Sequence, residues 1–408
     1  MSLSEGRISS EGLERLRGLI NKPLRLSFQF NKEVTIDGVR HLVWGIGDDN
    51  ELWLDPDYAK QTSYGRSVAP PSYLYTIHHT LVQVGLPGVH GFHSGTKWSI
   101  HRPVFVGEDV LPICWVSDVV ERPSKFGGRS VFIYFRTVFS DSESRLIATA
   151  LSWTIRVERA SSRERGKEAG VTMKHWTKEE LEPVERALLE ESPRGATPRY
   201  WEDTQIGEEL TPILKGPLCM TDMVAWYIGS NQVYHPAFGP ALKNYARHPQ
   251  FSYRDPIIGV LQPNARVHDT IEVAHSAGVP APYDIGVQRH QWLFHLLTNW
   301  VGDDGFIKEC SAEFRRFNLF GDLQTLRGSV IDKRIDPDGD HVVDLSLRSE
   351  NHRGEVTMPG SAVVALPTRE SGDRPVVRHS MMALTLRDYL TALGPEVLEN
   401  VGAAAKLD

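Results

Sequence analysis

The sequence predicts an α+β protein made of two tandem copies of one unit, each a helix followed by a run of antiparallel strands. Three observations predict it. At 408 residues the chain exceeds the usual size of one hydrophobic core. Apolar residues recur at helical spacing in two places, each followed by alternating or β-branched runs. Finally, RPVFVG from Arg102 to Gly107 matches RFNLFG from Arg316 to Gly321 at an offset of 214 (316 − 102).

In order along the chain, an amphipathic start around Leu13 to Leu19 precedes LRLSFQF, which ends at Phe30 and reads as a strand. A polar, acidic loop then leads into a predicted helix whose stripe is Leu74, Ile77, Leu81 and Val84. TKWSIHRP, VLPICWVSDVV, RSVFIYFRTVF and RLIATALSWTIRVE follow as strands, closing a first unit over 1–158. Residues 159–198 are rich in charge and poor in aromatics, a linker carrying one solvated helix. The second unit, 199–368, has its helix marked by Trp292, Leu293, Leu296, Leu297 and Trp300, and strands at SAEFRRF, LQTLRGSVIDKR, HVVDLSLRSE and SAVVALP. A tail over 369–408 ends in a helix.

Composition narrows the classes of function. An apolar fraction of 40% with 24% charged residues is that of an ordinary globular protein, and a net charge of −7 argues against nucleic acid as the main ligand. Cys114, Cys219 and Cys310 stand far apart outside any CxxC or His-rich context, so buried thiols are expected rather than disulfides or zinc. No apolar run approaches about 18 residues, and MSLSEGRISSEGLERLRG lacks the apolar core of a signal peptide. A cytoplasmic protein without a membrane partner is expected.

The repeat also ranks the two units. An offset of 215 pairs Ala59 with Ala274, Trp53 with His268 and Pro71 with Gly286. Pro71 has no backbone N–H to offer an anionic oxygen, and Trp53 does not exchange protons near neutral pH. The second unit holds an imidazole, His268, and a glycine N–H at a helix start, with Asp284 placed to be the N-cap. WGIGDD at Trp44 resembles WYIGSN at Trp226 at an offset of only 182 (226 − 44), which implies an insertion of about 33 residues near 232–265.

The helix-plus-strands repeat, the loop GDDNELWLDPDYA, the phrase SYGRSVAPPSYL and the segment HRPVFVGEDV resemble the MaoC-like double hot-dog dehydratases, relatives of the (R)-specific enoyl-CoA hydratases, over Leu24 to Leu366. The resemblance implies two tandem hot-dog folds, each an antiparallel sheet wrapped around a central helix, paired as a pseudo-dimer. It further implies reversible addition of water to a 2-enoyl thioester, with acyl-CoA as the expected substrate, no metal or other cofactor, and a homo-oligomer. The family motif runs G-D-x-N-P-L-H-x-D-x-x-x-A, with a Gly at the following helix start. Asp48, Asn50, Asp55 and Ala59 fit it in the first unit, where Glu51 and Trp53 replace the Pro and His. His268, Ala274 and Gly286 fit it in the second, where Pro263 falls on the Asp position.

On that resemblance His268 is the acid–base group and the Gly286 N–H faces the developing enolate oxygen, with Asp269, Asn231 and His235 as candidates to orient water. Tyr283, Asp284, Arg289 and Arg316 are candidates for substrate binding, although Arg102 in the equivalent place favours a structural role for Arg316. Tyr234, Phe238, Tyr245, Phe251 and Tyr253 give the insertion the makings of a bulky acyl pocket or a packed lid. A non-catalytic acyl-CoA-binding or partner subunit, and a hot-dog thioesterase, stay open as alternatives.

Overall fold

The alternating runs of the sequence become a nine-stranded antiparallel sheet in a computed structural model that describes residues 6–26, 31–123, 129–158, 171–230 and 236–407. The first half supplies β1 (His90–Ile100), β2 (Leu111–Pro123), β3 (Arg129–Ser140) and β4 (Leu146–Val157). The second supplies β5 (Ile213–Lys215), β6 (Phe306–Glu313), β7 (Gln324–Ile335), β8 (His341–Asn351) and β9 (Val356–Ala365). Their order across the sheet is β2-β3-β4-β1-β6-β9-β8-β7-β5.

The halves meet where β1 pairs antiparallel with β6, and there Lys97 lies directly opposite Ser311. Those residues are 214 apart (311 − 97), the offset of the repeat. In an antiparallel pair related by a two-fold axis, the residue that faces its own equivalent lies on that axis. The sequence repeat is therefore an internal two-fold, and the joint strands close the edge that each half would otherwise expose. Gly107 and Gly321, also 214 apart (321 − 107), share a left-handed turn with φ of 91° and 85°, which a side chain would strain.

Two short helices sit beside this axis. Thr35 caps α1 (Ile36–Ile46) by accepting from the Gly38 N–H, and α2 (Met220–Gly229) packs against it. A methyl group on Gly45 would stand 2.7 Å from the Gly229 Cα, and one on Gly229 would stand 2.7 Å from the Gly45 Cα. Only glycine allows that approach. Gly45 and Gly229 are 184 apart (229 − 45), and the buried faces, Val39 and Leu42 in α1 and Met223 and Trp226 in α2, keep the same step. The expected match of Trp44 to Trp226 is thus corrected, since Trp44 is 61% exposed and Trp226 fully buried. Helix burial sets this register, and the insertion shortens to about 31 residues (215 − 184).

The central helix α3 (Gly286–Val301) is buried on every side, so Gln288, Arg289, His290, Gln291 and His295 lie inside together with the stripe of Trp292, Leu293, Leu296 and Leu297. Its first-half counterpart is not the helix expected through Val84. Pro71–Tyr73 forms a 3-10 turn, Leu74–Ile77 one α-turn, and the chain leaves the helix at His78. There the Thr80 N–H donates to His78 Nδ1 at 2.9 Å and Thr80 takes φ 64°. A side chain competing for a backbone N–H, soon followed by Gly85, Pro87 and Gly88, stops the helix that the apolar spacing suggested.

Around this frame, the helix Lys178–Glu190 carries a capping box from Thr177 to Glu180 and buries only Val184. The insertion holds the helix Phe238–Arg247 and a small hairpin, Ser252–Arg254 with Leu261–Pro263. The tail folds back on the first half: helices Leu386–Leu393 and Pro395–Ala404 set Leu386, Leu390 and Val401 against Trp115 and Val138. Within LRLSFQF, residues 24–26 are not strand, although the chain bridges to β2 at Ile20 and Pro23; 27–30 lie outside the described residues. No helix among the described residues is long and apolar enough to cross a membrane.

Candidate active site

The helix start comes first. Ile285 is the N-cap of α3 and makes no side-chain cap, which leaves the first-turn N–H groups at Gly286 without one. Asp284 is therefore not the cap that its position suggested. Its buried carboxylate instead accepts from Arg289 Nε at 2.7 Å, from a second Arg289 nitrogen and from Asn318 Nδ2 at 3.0 Å. A guanidinium one turn further on offers two charge-assisted bonds where a backbone N–H offers one. Gln324 Nε2 extends the network by donating to Asn318 Oδ1 at 2.9 Å, and Arg289 also donates to the Arg316 carbonyl at 2.8 Å. Asp284 and Arg289 hold the entry of the helix.

His268 ends the short 3-10 turn Asn264–His268 and is half-buried. Its Nδ1 lies 2.9 Å from the Tyr283 carbonyl, three residues before the helix start. A carbonyl only accepts, so Nδ1 carries the hydrogen and Nε2 presents a lone pair. Burial holds the imidazole below its usual pKa, against the raising effect of that carbonyl. The ring meets Tyr283 edge-on at 4.6 Å, and Tyr283 packs on Phe317 at 4.5 Å.

The other sequence candidates are placed as follows. The Asp269 carboxylate accepts from Arg266 Nε at 2.5 Å and Thr270 Oγ1 at 2.6 Å, with no hydrogen bond to its neighbour His268. Arg316 pairs with Glu355 at 3.2 Å, as Arg102 pairs with Asp141 at 3.0 Å. Both members of these pairs are 214 apart, so the same clasp joins equivalent strand ends in each half. Asn231, His235 and Tyr234 lie outside the described residues. Of the insertion's other aromatics, Tyr245 and Tyr253 are buried, while Phe238 and Phe251 are exposed.

Two residues at the helix start escaped the sequence reading. A methyl group on Gly286 would stand 3.0 Å from Phe314 Cε2 and 3.1 Å from Nδ1 of His93, which arrives on β1 from the first half. His93 Nε2 is 3.2 Å from the Gly95 carbonyl and 2.8 Å from Thr96 Oγ1, so Nε2 carries the hydrogen and Nδ1 faces the helix with a lone pair. Burial pushes this imidazole down to about 3. Gln288, 1% exposed in the first turn, has a carbonyl oxygen with no hydrogen-bond partner among the described residues. Leaving it so costs about 1–3 kcal/mol, a cost a bound molecule would relieve. The repeat carries no trace of His93, whose equivalent is Ile307, and Gln288 reads as one polar residue beside an apolar stripe.

In the first half the motif residues are engaged elsewhere. Trp53 Nε1 donates to Asp48 at 3.2 Å, and the Asn50 N–H donates to the same carboxylate at 3.0 Å. His295, reaching over from α3, lies 3.6 Å from Asp48 and 3.0 Å from Glu191, while the Lys215 ammonium is 2.9 Å from its other nitrogen. Asp55 caps the helix Pro56–Gln61. A cavity of about 30 Å³, room for about one water molecule, lies between Asn50, Trp53, Pro71 and Thr298, away from His268.

Residues 27–150 match the family model FAS1-like, dehydratase domain region. A MaoC-like dehydratase of known structure superposes with a TM-score of 0.59 at 13% identity, covering 86% of this chain and 99% of its own. The chain has the fold of that dehydratase, a double hot dog. A MaoC domain dehydratase from Chloroflexus aurantiacus is similar at a TM-score of 0.50 and 14% identity, over 83% of this chain and 93% of its own. A UPF0336 protein of Streptomyces avermitilis is 25% identical over 127 residues, 29% of this chain and 81% of its own length. In this double hot dog, Asp336, Asp338 and Asp340 gather at the β7–β8 turn, but the Lys308 ammonium already bonds all three.

Proposed function

We propose that the protein is an acyl-thioester hydratase or dehydratase that adds water reversibly to a 2-enoyl thioester, with acyl-CoA as substrate, at the start of α3. The observation that carries this reading is the uncapped first turn at Gly286, close in the chain to the Tyr283 carbonyl that fixes the His268 ring. A helix start offers N–H groups and a positive field to the oxygen that becomes an enolate when water adds. His268, neutral near pH 7 with Nε2 free to accept, takes a proton from water and returns it to carbon. No metal or redox cofactor is required for this addition. The assembly is a homo-oligomer in the cytoplasm.

Incubation of the purified chain with a panel of enoyl-CoA thioesters, following loss of the conjugated absorbance, tests the reading. Turnover is expected, and His268→Ala should lower kcat by about 10²–10⁴-fold, the usual weight of one acid–base group. Turnover unaffected by that change would remove His268 from the mechanism. A second reading, a non-catalytic acyl-binding subunit, draws on Pro263, which puts no carboxylate where the family motif has one. Activity of the chain by itself would exclude it.

A further inference from the structure

Hydration of a 2-enoyl thioester uses two polar groups on the water besides the oxyanion donor. The second half supplies one, His268, and has Pro263 at the place of the other. The Asp269 carboxylate is tied to Arg266 and Thr270, and those of Asp284 and Asp322 to Arg289 and Arg353. We propose that the missing group comes from the other half of the molecule: His93, on β1, is the second polar group of the Gly286 site, the acceptor that orients the water for His268, with the Gln288 amide as a polar anchor in the same turn.

Three independent features support this. Nδ1 of His93 faces the helix start, 3.1 Å from where a Cβ on Gly286 would stand, a close approach that the absence of a side chain at Gly286 permits. The tautomer is fixed by the bonds of Nε2 to Gly95 and Thr96, which leaves Nδ1 as an acceptor. The Gln288 amide, buried in the same turn, has a carbonyl oxygen with no hydrogen-bond partner among the described residues. Phe92, Phe314 and Phe317 surround the place with aromatic rings, His93 meeting Phe314 at 4.8 Å and Phe92 meeting Phe317 at 6.0 Å, a surface suited to an acyl chain.

The step rests on the hydratase reading and balances within it. Nε2 of His268 removes one proton from water as the water oxygen bonds to C3, while Nδ1 of His93 accepts a hydrogen bond from the water's other O–H and orients it. The C2–C3 π pair moves toward the thioester carbonyl, whose oxygen is held at the helix start. The enolate then collapses and C2 takes the proton from the imidazolium, giving the 3-hydroxyacyl thioester. The reverse sequence releases water. A catalytic site shared in this way requires both halves of the pseudo-dimer, although only the second retains the motif His and Gly.

Two measurements decide it. In the enoyl-CoA assay, His93→Gln should lose about 10²–10⁴-fold in kcat with little change in KM, near-ultraviolet circular dichroism confirming that the variant is folded. Separately, diethyl pyrocarbonate acylates imidazole nitrogens that carry a lone pair, and peptide mapping reads each histidine alone. His93 of the wild type should react, and saturating butanoyl-CoA should shield it together with His268. A folded His93→Gln enzyme with wild-type kcat, or a His93 whose labelling rate butanoyl-CoA leaves unchanged, overturns the inference while the hydratase reading stands. A wild-type chain that turns over no enoyl thioester overturns both.

Discussion

Asp284 and Arg289 were candidates for substrate contact, and their surroundings give them another task. Both are buried, and each is bonded to the other and to the strand side of the helix through Asn318 and the Arg316 carbonyl. Removing one member strands a buried charge, so Arg289→Met should cost about 3–5 kcal/mol of stability by urea denaturation. A variant that keeps its stability and loses only affinity for acyl-CoA would return Arg289 to the substrate. Gly286 sits one residue beyond the cap and is constrained from the other side. Gly286→Val should cost about 1–3 kcal/mol by overpacking against Phe314 and His93, and its activity should fall further than the stability change explains. Activity equal to wild type at full folding would show that the close approach of His93 to Gly286 plays no part in turnover.

At the level of elements, the two-fold axis depends on a pair of glycines. Backbone meets backbone where Gly45 faces Gly229, so neither helix can yield by turning a side chain aside. Gly229→Ala should therefore destabilise by about 1–3 kcal/mol in a thermal or urea melt, although alanine is the better helix former. A gain in stability would mean that α1 and α2 separate at little cost. The stripe of α3 was legible from spacing, whereas the end of the first-half helix was not. Trp292 to Trp300 follow helical spacing without a break. Leu74 to Val84 follow it too, but His78 and Thr80 divert the backbone through a local hydrogen bond that spacing does not reveal. The Trp44 and Trp226 identity misled for a related reason: burial on a helix depends on the partner it packs against, and α1 and α2 pack on each other.

The molecule as a whole holds a set of desolvated imidazoles. His78, His93 and His290 are pushed down to about 3 and His79 to about 4, desolvation being the first cause in each. From the ordinary value of 6.5 downward the unfolded chain binds protons that the folded chain refuses. Stability therefore rises with pH through that window and is lost progressively as pH falls from about 6.5 toward 3. The urea midpoint should drop between pH 7.5 and pH 5, and His290→Leu should shallow that drop. A midpoint constant over this range would mean that these rings are protonated in the folded state.

The sequence by itself determined the duplication, the succession of strands along each half, the buried helix α3 and the different chemistry at equivalent positions, because each is written in periodicity, an offset or a missing chemical group. Pro71 has no N–H in any fold. Only the tertiary structure decided which polar residues meet. Asp284 was read as a cap from its position, yet Arg289 holds it; His93 had no motif and no equivalent, yet β1 carries it to the head of a helix from the other half. Spacing along a chain fixes which face of an element a residue occupies. The partner across that face belongs to another part of the chain, and in this protein the face at Gly286 is closed by residues nearly two hundred positions away (286 − 93 = 193).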